Sequence, residues 1–334
     1  MDNREVLLRV ENLCQHFGKV KAVDDVTFDI YKGEVFGLVG ESGCGKTTTG
    51  RSIIKIYDIT SGSISFKGER IAIAPKTYRE ELAAYEKENT PESKEKAKKL
   101  KADWKRIKKT GMVTDIQMIF QDPIASLNPR MTVKEIVSEG LVIQGEKDPK
   151  VIEEKVYKIL ELVGLVREHA GRYPHEFSGG QRQRIGIARS VIMHPELLIA
   201  DEPISALDVS IQAQVINLLN ELRETLDLTI LFIAHDLSVV KYFSDRIGVM
   251  YFGKLVELAP ADELFDHPLH PYTKSLLSAI PLPDPHREKQ RNRIAYNPDV
   301  HDYSVDKPTM REVAPGHFVY CNDAEALSYQ KELG

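Results

Sequence analysis

Apolar and polar positions divide the chain into two kinds of segment. Residues 6–10, 26–30 and 35–39 are short β-rich runs, and the last feeds a glycine-rich turn and then a helical stretch from about Lys46. The order there is strand, loop, helix. Further strands are expected at 63–66 and 115–120. Residues 196–200 and 228–234 are continuous apolar runs, the pattern of strands buried on both faces of a parallel sheet. The helical segment 211–226 lies between them, so the three form a βαβ unit whose right-handed crossover belongs to an open α/β sheet. From Lys134 to Met193 the spacing is helical instead, through Val151, Ile159, Leu162 and Val163, which predicts a helical subdomain at about 122–195 inserted in the sheet domain. Beyond Ala259 the chain becomes proline-rich, with HPLHP and then PLPDP. This marks a boundary near residue 260 and predicts a loosely organised extension over 261–334.

One stretch departs in charge. Residues 76–110 hold 12 Lys/Arg against 7 Asp/Glu, and Ala97, Leu100, Trp104 and Ile107 recur at three- and four-residue intervals. That is a narrow apolar stripe on a basic helix, which either makes a solvated helical insertion that packs one edge on the body or meets anionic headgroups or a membrane partner.

Composition narrows the class without naming a partner. A chain of 334 residues exceeds what one compact domain needs, so a large domain with an appendage is expected. Its 42% apolar and 28% charged residues are those of an ordinary globular protein, and a net charge of -5 gives no global attraction to nucleic acid. The opening MDNREVLL lacks the apolar core of a secretory signal, so a cytosolic start is expected. The strongest apolar run, 228–234, is interrupted by Thr229 and ends at His235, far short of a membrane span. Cys14, Cys44 and Cys321 are odd in number and widely spaced, which argues against a disulfide framework, a zinc site or an iron–sulfur cluster.

Two motifs carry chemistry. Gly40-Glu41-Ser42-Gly43-Cys44-Gly45-Lys46-Thr47, followed by Thr48, matches the phosphate-loop pattern GxxxxGK[ST] between an apolar strand and a helix. Its glycines let backbone N–H groups converge on phosphate oxygens. The helix N-terminus adds a favourable field, Lys46 reaches the β- and γ-phosphates, and Thr47 can ligate Mg²⁺. Cys44, beside that N-terminus, is placed where thiolate is favoured. The strand at 196–200 ends in Asp201 and Glu202. With a phosphate loop in the same chain, Asp201 suits Mg²⁺ and Glu202 suits the attacking water.

Ser178-Gly179-Gly180-Gln181, with Arg182 and Arg184 after it, resembles the ABC transporter ATPase signature. Ser178 is a natural N-cap, and the two glycines admit close backbone approach, so the following helix offers a second anion site. The resemblance implies a P-loop NTPase (RecA-like) α/β core. To that core it adds an ABC antiparallel β subdomain, the inserted helical subdomain and a C-terminal extension. It also implies that the signature of one subunit closes over ATP held by the phosphate loop of another. Other matching positions acquire roles the same way: Gln121 resembles the Q-loop glutamine that senses Mg²⁺ and water, and Ser205-Ala206-Leu207-Asp208 resembles the D-loop. His235 resembles the switch histidine at the γ-phosphate, and Phe17 sits where the family stacks an aromatic ring on adenine.

Three further stretches are similar to the oligopeptide and dipeptide permease ATPases, on the side of the F-type partner. They are Gln117 to Pro123 with Ser126 to Pro129, Tyr173 to Phe177, and His270 to Lys274. That branch implies a peripheral protein at the cytoplasmic face of the membrane, with a homologous ATPase as heterodimer partner, two membrane-spanning permease subunits and an extracytoplasmic peptide-binding protein. Many relatives carry a cysteine cluster in the extension, whereas only Cys321 lies beyond Cys44 here, so no iron–sulfur role is carried over. A dipeptide or nickel importer stays open, and so does a non-transport ABC ATPase acting on DNA or ribosomes. The latter lacks support, because the chain has one ATPase motif set and no long coiled-coil insertion.

Overall fold

The computed structural model describes residues 4–109, 114–122, 125–205, 207–280 and 293–333. Pro123, Ala206 and the stretch 281–285, all singled out above, lie outside them. In chain order the strands are β1 (Val6–Phe17), β2 (Val20–Tyr31), β3 (Val35–Val39), β4 (Ser61–Phe66), β5 (Glu69–Ile73) and β6 (Ile116–Ile119). They continue with β7 (Leu197–Asp201), β8 (Thr229–Ala234), β9 (Arg246–Tyr251), β10 (Lys254–Pro260), β11 (Thr309–Ala314) and β12 (His317–Cys321). The described residues form two compact units.

The helical unit comprises 31–34 and most of 112–233, with Arg4. Its strands run parallel in the order β6, β7, β8, with Ile116 opposite Leu197 and Leu197 opposite Thr229. Every residue of β7 and β8 is buried, which is why both read as unbroken apolar runs. The helix Val209–Leu226 connects them, two residues longer at its start than the apolar spacing showed, because Asp208 caps it by accepting the Ile211 N–H at 3.1 Å. The helices Val133–Ile143, Pro149–Leu162 and Gly179–Val191 form the expected helical array. Thr132 and Glu135 close a capping box on the first of them. Ser190 Oγ donates to Met118 O at 3.1 Å and so ties the Gly179–Val191 helix to β6.

The phosphate-loop unit comprises 5–30, 35–111 and 234–334, so far as described. One of its sheets is antiparallel in the order β2-β1-β4-β5. The short runs expected at 6–10 and 26–30 are parts of twelve-residue strands. Bends at Asn12 and Asp25, both at positive φ, break the alternation that would have revealed their full length. A second sheet pairs β3 with β9 in parallel and then adds β10, β12 and β11 antiparallel. The charged insertion is a helical hairpin, Pro75–Glu88 and Pro91–Lys109. Ala97 and Leu100 are buried, and Trp104 stacks on Tyr78 with ring centroids 4.4 Å apart, so the apolar stripe is spent inside this unit. No described helix is long and apolar enough to cross a membrane.

The described residues of the extension form more regular structure than its prolines suggested. Strand β12 pairs with β10, and Leu269, Val313, Val319, Cys321 and Tyr329 form a core of their own. The carboxylate of Glu257, wholly buried, accepts the N–H groups of Leu269 and His270 at 2.8 and 3.0 Å and lies 2.8 Å from His317 Nε2. A buried carboxylate is tolerable only with such partners. Here they fasten Leu269, His270 and His317 to β10.

Candidate functional site

In the phosphate-loop unit, β3 leads into Gly40 to Gly45 and the helix Lys46–Ile53. The N-cap is Gly45, at φ 107°, and no side chain caps this helix. Most helices fill that place with a Ser, Thr or Asp oxygen, so its absence suits an external anion at the first turn. A Cβ on Gly45 would stand 2.2 Å from Ala22 O, so the strand β2 backbone and the loop approach too closely for any other residue. Lys46 is buried, and its ammonium donates to Gly40 O at 2.8 Å and Glu41 O at 2.9 Å, which holds it along the loop. Phe17, 45% exposed at the end of β1, meets Tyr57 edge-to-face at 5.2 Å, a ring braced on one side and open to solvent. His235, exposed, directly follows β8 in the chain.

Cys44 requires a correction. It is buried, and burial pushes its thiol above the usual range more than Lys46 lowers it, so thiolate is not favoured there.

Sequence reasoning also passed over Tyr272, which belongs to the His270 to Lys274 stretch but was given no role at the loop. Its hydroxyl accepts the Glu41 N–H at 3.1 Å, across 231 residues of sequence, and the side chain is buried. Burial lowers the pKa of His270 to about 3, so the neutral ring can accept the Tyr272 N–H through Nδ1 at 3.1 Å and start the helix Pro271–Ser278. Tyr272→Phe leaves the Glu41 N–H without this partner. The expected result is a rise of roughly three- to tenfold in KM for ATP, the value of one buried hydrogen bond. Steady-state ATPase kinetics check it; an unchanged KM would show that the bond does not shape the loop.

The helical unit holds the remaining residues. Asp201 ends β7, wholly buried, and the next residue, Glu202, lies at φ 46°, a left-handed conformation costly for a non-glycine residue. The Glu202 N–H donates to Ile233 O at 2.9 Å, and the Ser205 hydroxyl donates to Glu202 O at 3.1 Å, so backbone on both sides keeps the strain in place. Gln121 Nε2 donates to Glu202 Oε2 at 2.9 Å. A glutamine and a carboxylate 81 residues apart are thereby brought into direct contact.

At the signature, Ser178 Oγ accepts the Gln181 N–H at 3.3 Å and Gln181 Oε1 accepts the Ser178 N–H at 3.1 Å, a full capping box. The serine O–H stays available to donate. A Cβ on Gly180 would lie 2.7 Å from Ile211 Cγ2, so this helix and the one begun by Asp208 meet closely there. Arg182 and Arg184 are spent on structure: they donate to Pro174 O at 2.8 Å and Val163 O at 2.6 Å. Arg189, farther along the same helix, donates to Ser126 O at 2.6 Å in the loop that follows Gln121.

Comparison with known proteins agrees. The ABC transporter family model matches residues 23–205. A second model, the C-terminal region of oligopeptide/dipeptide transporters, matches 256–306. The chain is 60% identical over 332 residues to an oligopeptide transport ATP-binding protein, OppF, of Bacillus subtilis (strain 168), covering 97% of this chain and 99% of that one. This chain belongs to the oligopeptide and dipeptide ABC transporter ATP-binding family. Family membership extends to a dipeptide transport ATP-binding protein, DppF, of Lactococcus lactis, 48% identical over 344 residues with 99% of each chain covered. Among solved structures, cbiO1 of Clostridium perfringens, part of the ABC transporter complex cbiONQ, superposes with a TM-score of 0.61 at 26% identity, covering 78% of this chain and 91% of that one. The family's P-loop NTPase α/β fold, with its antiparallel β subdomain and helical array, is therefore the fold of this chain.

Proposed function

We propose that this chain is the ATP-hydrolysing subunit of an importer for oligopeptides. The observation that carries the hydrolytic part is the strained Glu202, held by backbone and bonded to Gln121 directly after the buried Asp201. The oligopeptide assignment rests on 60% identity over nearly the whole of both chains.

On this reading Gly40, Ser42, Gly43, Cys44, Gly45, Lys46, Thr47 and Thr48 hold the ATP phosphates and Phe17 stacks on adenine. Glu202 takes a proton from the attacking water. His235 contacts the γ-phosphate, and Ser178, Gly179, Gly180, Gln181 and Asp208 close over the nucleotide of a second, homologous subunit. Thr47, Gln121 and Asp201 offer only hard oxygen donors, the chemistry Mg²⁺ requires, and the Gln121 bond to Glu202 uses the amide nitrogen and leaves its carbonyl oxygen. Mg²⁺ held by these residues would offset the negative charge of the phosphates. The body of the chain to about residue 260 serves as the nucleotide-binding domain and the remainder as the transporter-type extension.

Peptide itself does not enter these sites. The motion of the Gly179–Val191 helix, tied to the segment after Gln121 through Arg189, carries the ATPase cycle toward membrane-spanning permease subunits at the cytoplasmic face. The test is purification of this chain from its native membranes with mass spectrometry of what accompanies it. Two permease subunits, a second ATPase and a peptide-binding protein are expected; ribosomal or DNA-repair partners alone would overturn the transport reading. A dipeptide cargo is the second reading, favoured by the likeness to the Lactococcus lactis protein. Peptide-stimulated ATPase of the reassembled complex separates the two by length.

A further inference from the structure

A cluster on β1 and β2 brings together three ligand types, and it is joined to the phosphate loop by Gly253, whose carbonyl accepts the Asp24 N–H at 2.8 Å and whose N–H donates to Cys44 O at 2.9 Å. Cys14 Sγ, one ring nitrogen of His16 and a carboxylate oxygen of Asp24 all lie within 4.8 Å of one another. The placement follows from strand geometry. Residues two apart on a strand share a face, so Cys14 and His16 point the same way from β1, and Asp24 comes from β2, the neighbouring strand. Two irregularities shape the spot: β1 shifts register against β4 between Glu11 and Cys14, and Asp25, next to Asp24, is in the left-handed region.

His16 Nε2 is the second observation. It is shut off from solvent with no hydrogen-bond partner, and Asp24 Oδ1 stands 3.7 Å away, beyond hydrogen-bond reach. A buried polar nitrogen left without a partner is costly, and it sits beside a thiol and a carboxylate at a separation that one ion between them would fill. One further contact fits. Cys14 Sγ accepts the Asp25 N–H at 3.3 Å, the kind of bond that steadies a metal-bound thiolate. Asp24 carries the ammonium groups of Lys21 and Lys254, each at 3.4 Å, and Lys254 also donates to the Tyr320 hydroxyl at 3.3 Å, so a dication must displace both ammonium groups from the carboxylate.

We propose that Cys14, His16 and Asp24 form a binding site for a zinc-class dication. Sulfur, nitrogen and one carboxylate oxygen are the donor set Zn²⁺ takes with a fourth position open, and the soft thiolate disfavours Mg²⁺ and Ca²⁺. Binding converts the Cys14 thiol to thiolate and releases one proton to solvent; no electron moves. The absence of CxxC spacing, which argued against zinc along the chain, has no force here, because two of the ligands alternate on a strand and the third comes from its neighbour.

Cobalt(II) reports such a site by colour. The metal-stripped full chain, titrated with Co²⁺ without nucleotide, is expected to develop a thiolate-to-cobalt charge-transfer band that saturates at one ion per chain and is bleached by Zn²⁺. Cys14→Ser should lose the band, His16→Gln and Asp24→Asn should weaken it, and Cys44→Ser and Cys321→Ser should keep it. No band in the unsubstituted chain, or an undiminished band in Cys14→Ser, overturns the site. Should Cys14→Ser fail to fold, alkylation of the unsubstituted chain decides: Zn²⁺ protecting Cys14 in peptide mass spectra supports the site, and unaltered labelling refutes it. Because nucleotide is left out, failure here does not touch the ATPase reading.

Discussion

Glu202→Gln should reduce ATP turnover by about 100-fold or more, which corresponds to at least ~2.7 kcal/mol of lost transition-state stabilisation, while ATP affinity changes little. The substitution is selective for a structural reason. The Gln121 amide donates to Glu202 Oε2, and a glutamine in place of Glu202 still presents a carbonyl oxygen to that donor, so the contact survives. The left-handed backbone at this position suits glutamine about as well as glutamate, since neither is β-branched. What disappears is the basicity needed to take a proton from water. Single-turnover hydrolysis together with equilibrium nucleotide binding checks the prediction; turnover within a few-fold of the unsubstituted protein would remove Glu202 from the role of base.

Gly45→Ala is expected to abolish measurable ATP binding, whereas Gly43→Ala should weaken it far less. Both glycines have positive φ, 107° and 81°, so any other residue costs about 1–2 kcal/mol of backbone energy at either place. The difference is space. A methyl on Gly43 meets nothing within 4 Å, but on Gly45 it would stand 2.2 Å from the backbone oxygen of Ala22. Backbone cannot rotate aside as a side chain can, so the loop must move off β2, and the N–H groups at the start of the Lys46–Ile53 helix move with it. A fluorescent nucleotide titration, with circular dichroism to show the fold retained, measures the contrast; equal losses at the two glycines would show that close approach to Ala22 does not matter.

The parts that could be read along the chain are those in which neighbours in sequence are also neighbours in space. β7 and β8 betrayed themselves because burial on both faces demands unbroken apolar runs. The phosphate loop and the signature were legible for a similar reason: a turn that needs glycine and a helix that needs a cap write both requirements into a few consecutive residues. Strands β9 and β10 went unrecognised, since a buried Glu257 and an Arg246 at the start of β9 interrupt their apolar pattern. The extension read as loosely organised because its prolines hide the local periodicity, while the residues that fasten it, Glu257 with Leu269, His270 and His317, are spread over 60 positions.

By itself, then, the sequence determined the fold class and the family, and local spacing was enough to nominate the residues proposed to handle nucleotide. The tertiary structure alone decided three matters. It set Glu202 in a strained backbone with Gln121 on its carboxylate, placed the Tyr272 hydroxyl on the phosphate loop, and gathered Cys14, His16 and Asp24 around one point. Each depends on which surfaces pack together, and burial also reversed the expectation for Cys44, whose thiol is held up by desolvation.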